Sequence, residues 1–218
     1  MKEFLLGKWD ALAKFLSVPP LPLPFWERLP ADAQGCIVKT PQFTQIDRFS
    51  CGFVAGWAVI KTLHPEHNPW DARSFYASCD PDVERGTSAS RLAKALRTHG
   101  IRVGLRSGQI AFSLLKKALE NGSPVIACID RPNSDYLHWV TVYGYSETQR
   151  SGEGRRSVYL HNNGLPLPWC RGDRVMEFER FQKLQLGGDF LICGRKSGEG
   201  KRRARESTRS MHRGSSMR

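Results

Sequence analysis

Helical periodicity fills the first half of this chain and strand-like runs fill the second, and that order constrains the fold more than any other feature. Apolar residues recur at helical spacing from Cys51 to Leu63, with Ser50 as a candidate cap. They do so again across RGTSASRLAKALRTHG (85–100), where Thr87 or Ser88 caps and Gly100 stops the helix, and across SLLKKALENG (113–122), which ends at Gly122. IRVGL (101–105) reads as a short strand between the last two. Then come PVIACI (124–129), HWVTVYGY (138–145) and VYLHNN (158–163), β-branched and aromatic, with the polar loops DRPNSDYL and SETQRSGEGRRS between them. A short helix around EFERFQKL (177–184) and a last strand, DFLICGR (189–195), follow. Helices succeeded by hairpin-linked strands predict an α+β domain with a mainly antiparallel sheet rather than alternating βαβ units.

The flanks differ in kind from this core. MKEFLLGKWDALAKFLSV has one apolar stripe at helical spacing and is read as a helix docked on the domain; Glu3 and Asp10 interrupt it, so it is not a signal peptide. SVPPLPLPFWERLP (17–30) has five prolines and is an extended connector. Residues 1–35 are therefore set apart as an N-terminal amphipathic helix and Pro-rich connector, 36–195 as the folded domain, and 196–218 as a disordered basic tail. From Arg195 onward, nine Lys or Arg face only Glu199 and Glu206, which is more than half of the net +12. Such a tail offers weak, charge-driven contact to nucleic acid or to an acidic partner.

No run approaches the eighteen apolar residues of a transmembrane helix, and none is expected. The six cysteines (36, 51, 79, 128, 170 and 193) show no Cys-x-x-Cys spacing, so reduced thiols in a cytoplasmic protein are expected. HPEH (64–67) has metal-like spacing but contains Pro65 and lacks a third ligand; it is read as a loop. Neither a metal nor a cofactor is expected.

One cysteine stands where a polar segment becomes an apolar helix. In TQIDRFSCGFVAGWAVIKTL (44–63), Cys51 is at the helix mouth, where free N–H groups and the macrodipole favour a thiolate and are expected to lower its pKa. Gly52 is expected to leave room for a substrate at the sulfur, and Ala55 and Gly56 to let another element pack closely. A thiolate attacking a carbonyl needs a base and an oxyanion donor. His138, opening a strand, is the candidate base, and in a β pattern it shares a face with Val140 and Val142, opposite Trp139, Thr141 and Tyr143. Gln45, six residues before the cysteine, is the candidate oxyanion donor with the Cys51 N–H. The amide oxygen of Asn162 is the candidate orienter of the ring, with Asn163 as the competing assignment because alternation turns only one of the pair inward. Cys128 and Cys193 read as core, Cys36 as part of an entering strand and Cys170 as a loop residue; Cys79 has neither an upstream Gln nor a helix mouth. His161, Trp57, Trp139 and Tyr143 read as structural.

Gln45, SCGFVAGW, ENGSPVIACI, LHWVTVYGY and VYLHNN, in that order, resemble a papain-like cysteine peptidase, and within it the bacteriocin-processing, double-glycine-leader peptidases and their stand-alone relatives. The resemblance covers 36–195. It implies a papain-like cysteine proteinase fold, an N-terminal helical part packed on a mainly antiparallel sheet. It also implies hydrolysis of a peptide or related amide bond in a peptide or protein substrate, through an acyl-enzyme. Cys51 would be nucleophile, His138 base and acid, Asn162 orienter and Gln45 oxyanion donor. Ser50 stands where such proteins often carry an acid, and Asn162-Asn163 where Asp-Pro is common. The ATP-driven export module and membrane spans of transporter-linked members have no counterpart here, so trimming of leaders during secretion is not implied. The same residues would also serve a thiol acyltransferase or amidase, and the fold without turnover would serve as a peptide-binding module.

Overall fold

In the computed structural model, the described residues are 29, 31–45, 47–130, 137–150, 153–162, 173–185 and 187–196. The predicted N-terminal helix, nearly all of the Pro-rich connector, Cys170, Asn163 and all but the first residue of the tail lie outside them. The elements are β1 (Ala33–Ile37), α1 (Cys51–Leu63), α2 (Pro69–Cys79), α3 (Ala89–Thr98), β2 (Ile101–Ser107), α4 (Phe112–Glu120), β3 (Val125–Asp130), β4 (Leu137–Arg150), β5 (Glu153–His161), β6 (Asp173–Glu177), α5 (Phe178–Leu184) and β7 (Asp189–Arg195). Every strand pairing is antiparallel, in the order β2-β7-β3-β4-β5-β6, with β1 on β4.

Strand alternation divides the core in two. Ile126, Cys128, Trp139, Leu191 and Cys193 face α1, α2 and α3. Their neighbours Val125, Ala127, Ile129, Val140 and Val142 face α4 and α5. The alternation expected along β4 therefore holds for Trp139 and Thr141 against Val140 and Val142. Cys128 and Cys193 are core as expected, and Cys36 lies on β1.

Helix α1 is buried along almost its whole length because it lies between the sheet and α2. Gly56 makes this possible: a Cβ there would stand 2.5 Å from Phe75 Cζ. Helix α3 is capped by Ser88, whose hydroxyl accepts from Arg91 N, and Gly100 turns the chain out of it at φ +82°. Nδ1 of His99 donates to the Ala95 carbonyl at 2.9 Å at the end of this helix.

Three elements depart from expectation. Helix α2 follows the HPEH loop in a stretch to which no element was assigned from the sequence. Asn68 and Asp71 form a reciprocal cap at its start, with Asp71 N donating to Asn68 Oδ1 (3.2 Å) and Asn68 N to Asp71 Oδ2 (2.8 Å). The polar segment SETQRSGEGRRS is mostly strand, because β4 and β5 stay paired from Ser146↔Ser157 to Arg150↔Glu153, with β1 supporting β4 as far as Thr148. Strand β6, unforeseen, precedes α5 and pairs with β5.

Candidate active site

The chain reaches α1 through a turn closed by Asp47, whose Oδ1 accepts from Phe49 N (2.9 Å) and Ser50 N (2.7 Å). This carboxylate serves amides ahead of the helix, while the Ser50 hydroxyl, expected to cap α1, makes no cap and is buried without a partner among the described residues. The turn delivers Cys51 as the first residue of α1, 6% exposed.

Gly52, expected to open a path to the sulfur, is instead a packing point. A Cβ there would lie 3.0 Å from Thr87 Cβ and 3.1 Å from Trp139 Cδ1. The Trp139 indole is fixed beside it, Nε1 donating to the Thr87 carbonyl at 2.8 Å. Helix α1 thus rests on the Trp139 face of β4, where Thr141 Oγ1 also donates to Ala55 O at 3.4 Å.

The sulfur itself meets β4 at the strand edge. Strand β5 pairs with β4 only from Thr141 onward, so the first residues of β4 have β3 on one side and no described strand on the other. There the Trp139 backbone N–H points at the Cys51 sulfur, joined by the amides of Gly52 and Cys51. Burial nevertheless dominates. It pushes the Cys51 thiol above its ordinary value, the three amides oppose it, and the Asp47 carboxylate adds to the rise. The lowered pKa expected from the helix mouth alone is therefore not what the fold produces, because desolvation outweighs the amide donors.

His138 precedes Trp139 and is 5% exposed. Its Nε2 lies 2.5 Å from the main-chain carbonyl oxygen of Asn162. A carbonyl only accepts, so Nε2 carries the proton and Nδ1 of the neutral ring is the basic nitrogen. The Asn162 oxygen that meets the ring is the backbone one, where the side-chain amide was expected. Strand β5 leaves the ladder after His161↔Thr141, and the next carbonyl, no longer committed to a strand partner, meets the imidazole.

The structure thus gathers Cys51, Trp139, His138 and Asn162 at one end of β4. Gln45 is buried, 3% exposed, in the segment leading to α1, and no hydrogen bond joins it to Cys51 among the described residues. His161 is structural, fully buried, stacked on Tyr143 at 4.1 Å with Nε2 on the Thr40 carbonyl.

A groove of about 480 Å³ opens beside the sulfur, walled by Cys51, Thr87, Cys128, Leu137 and Trp139 and rimmed by Arg48, Glu84, Arg85 and Asp189. Trp139 is therefore both core and groove wall. Its role was masked in the sequence because alternation sets it on the face opposite His138. The signal for Cys128 was the pairing of β3 and β4, which sets it across from Trp139.

Among solved structures, the chain is similar to a double-glycine motif protease from an AMS/PCAT transporter, in complex with its leader peptide. The two are 19% identical, with a TM-score of 0.52, over 74% of this chain and 95% of that one. It is also similar to the peptidase domain of Streptococcus ComA, a bi-functional ABC transporter involved in a quorum-sensing pathway, at 17% identity and TM-score 0.46, over 73% of this chain and 99% of that one. No family model and no curated protein matches. The mixed helices and antiparallel sheet are the papain-like cysteine peptidase fold. Among the described residues, no helix is long and apolar enough to cross a membrane.

Proposed function

We propose that this protein is a cysteine peptidase that cleaves a peptide bond through Cys51, His138, Asn162 and Gln45. The observation that carries this reading is the hydrogen bond from His138 Nε2 to the Asn162 carbonyl. It makes Nδ1 the proton acceptor on a residue whose following amide addresses the Cys51 sulfur. Because burial keeps the thiol protonated, Nδ1 takes its proton as the sulfur attacks the substrate carbonyl, rather than before. The carbonyl oxygen becomes an oxyanion, received by the Cys51 amide and the Gln45 side chain. Collapse expels the amine, which leaves with the proton from Nδ1, and water then hydrolyses the thioester by the same route.

The reading extends to a peptide substrate with small residues at the cleaved bond, which the similarity to a double-glycine motif protease supports. It also places the protein in a reducing compartment such as the cytoplasm, where the five described thiols, all free, persist.

The test is incubation of the full chain with a leader-type peptide carrying a double-glycine site, followed by mass spectrometry. Cleavage after the second glycine, absent in Cys51→Ala, is the expected result. An intact peptide together with no covalent adduct at Cys51 from a peptide aldehyde or chloromethyl ketone would overturn the proposal. Quantitative transfer to an added amine without hydrolysis would convert it to an acyltransferase.

A further inference from the structure

At the other end of α1 lies a larger cleft, about 830 Å³. A helix of 13 residues spans about 18 Å, so this cleft is remote from Cys51. Lys39, Arg102, Lys117 and Arg195 line it, and no acidic side chain does among the described residues. Its apolar wall is aliphatic, made by Val38, Leu63, Leu114 and Ile192.

Cations near helix C-termini ordinarily serve the exposed carbonyls there. Here several of those carbonyls are already served. Gly122 N donates to Leu119 O, Ser123 N to Ala118 O, and His64 N to Ile60 O. Asn121 Nδ2 donates to Lys117 O. Neighbouring cations are also committed: Lys61 to the Pro65 and His67 carbonyls, Lys196 to Arg97 O, and Lys116 to Glu147. The four cleft cations, in contrast, have no side-chain hydrogen bond or ion pair among the described residues. Gly194 sharpens the arrangement, since its missing side chain admits Ser123 Oγ and the Arg102 guanidinium to 3.2 and 3.3 Å of where a Cβ would stand.

We infer that this cleft binds an acidic peptide segment of a partner protein, its carboxylates on the four cations and its aliphatic side chains on the apolar wall. Among the described residues the lining contains no aromatic ring, so they offer no platform on which a nucleic-acid base would stack. Guanidinium forks and ammonium groups over aliphatic surface match carboxylates interleaved with leucine-like side chains. The site stands independently of the peptidase activity, since it shares no residue with the groove at Cys51.

The experiment is fluorescence anisotropy of the full chain with a labelled synthetic peptide of glutamates and leucines. Saturable binding that weakens with salt is expected. The double variant Arg102→Glu/Lys117→Glu should lose about tenfold or more in affinity, while Lys94→Glu/Lys183→Glu, the same charge change on exposed helix positions, should leave it within about twofold. If the reversed cleft variant fails to fold by circular dichroism, Lys117→Ala/Arg195→Ala replaces it, with a loss of about threefold or more expected. Equal binding by wild type and cleft variant would assign the affinity to the basic tail and overturn the inference. So would a glutamine-for-glutamate peptide binding as tightly, or single-stranded DNA or inorganic pyrophosphate displacing the peptide at lower concentration than unlabelled peptide does.

Discussion

His138 Nε2 and the main-chain carbonyl oxygen of Asn162 lie 2.5 Å apart, so a backbone acceptor holds this ring nitrogen. A substitution at Asn162 leaves that oxygen in place. Asn162→Ala should therefore retain kcat/KM within about tenfold, whereas His138→Ala and Cys51→Ala should each lose on the order of 10⁴-fold or more. Steady-state kinetics on the three variants checks this. A hundredfold loss in Asn162→Ala would show that the side chain does the orienting.

Burial, not the helix mouth, sets the titration of Cys51. The thiol is raised above its ordinary value of 9.0, so alkylation by iodoacetamide should be slow at neutral pH and climb through the alkaline range without a plateau near neutrality. The corresponding stability effect has a definite sign. A thiol held protonated by the fold stabilises it fully below the unfolded thiol's pKa, and that contribution is lost as pH rises toward the raised folded value. Cys79, Cys128 (pushed up to about 12) and Cys193 are raised in the same way by burial. Thermal melts should thus show Tm falling as pH increases above 9.0.

Asp47 contributes to that titration separately from its turn. Asp47→Asn keeps an oxygen to accept from the Phe49 and Ser50 amides and removes the charge that raises the Cys51 thiol. The midpoint of Cys51 alkylation should move to lower pH, with Tm changed by little. An unchanged midpoint would remove Asp47 from the electrostatics of the site.

Two glycines of α1 separate packing from chemistry. Gly56→Ala drives a Cβ to 2.5 Å from the Phe75 ring, deep between α1 and α2, and should cost about 1–3 kcal/mol of stability. Gly52→Ala meets Thr87 and Trp139 at 3.0 and 3.1 Å, beside the sulfur. Its stability loss should be smaller, but the displacement of Trp139 moves the amide aimed at Cys51, so alkylation and turnover should fall further than in Gly56→Ala. Chemical denaturation and labelling rates, measured on both, distinguish the two effects.

The order of elements, the antiparallel sheet and the two faces of β4 were legible because period and composition encode them directly. Helix α2 was also encoded: Asn68 and Asp71 at capping spacing, Pro69 at the first helical position, then Ala72, Phe75, Tyr76 and Cys79 at helical intervals. Candidate site residues Cys51, His138 and Asn162 were visible as types at element ends. Which oxygen of Asn162 faces the ring was not, because it depends on where β5 stops pairing with β4. Nor was the direction of the Cys51 shift, since dipole and amides are local to the sequence whereas burial is created by Trp139 and Thr87, distant in the chain.

The register shift in the β4–β5 ladder between Val142 and Gly144 separates the long hairpin into two independently phased parts. On its outer side, Gly144 lies so close to Ile37 and to the Cys36 carbonyl that no larger residue fits. On its inner side, the ladder runs only two pairs before the chain reaches Asn162. Insertions or deletions near the hairpin tip are consequently absorbed before they reach that irregularity, and the pairing of imidazole with carbonyl keeps its alignment while the distal ribbon is free to diverge in length and sequence.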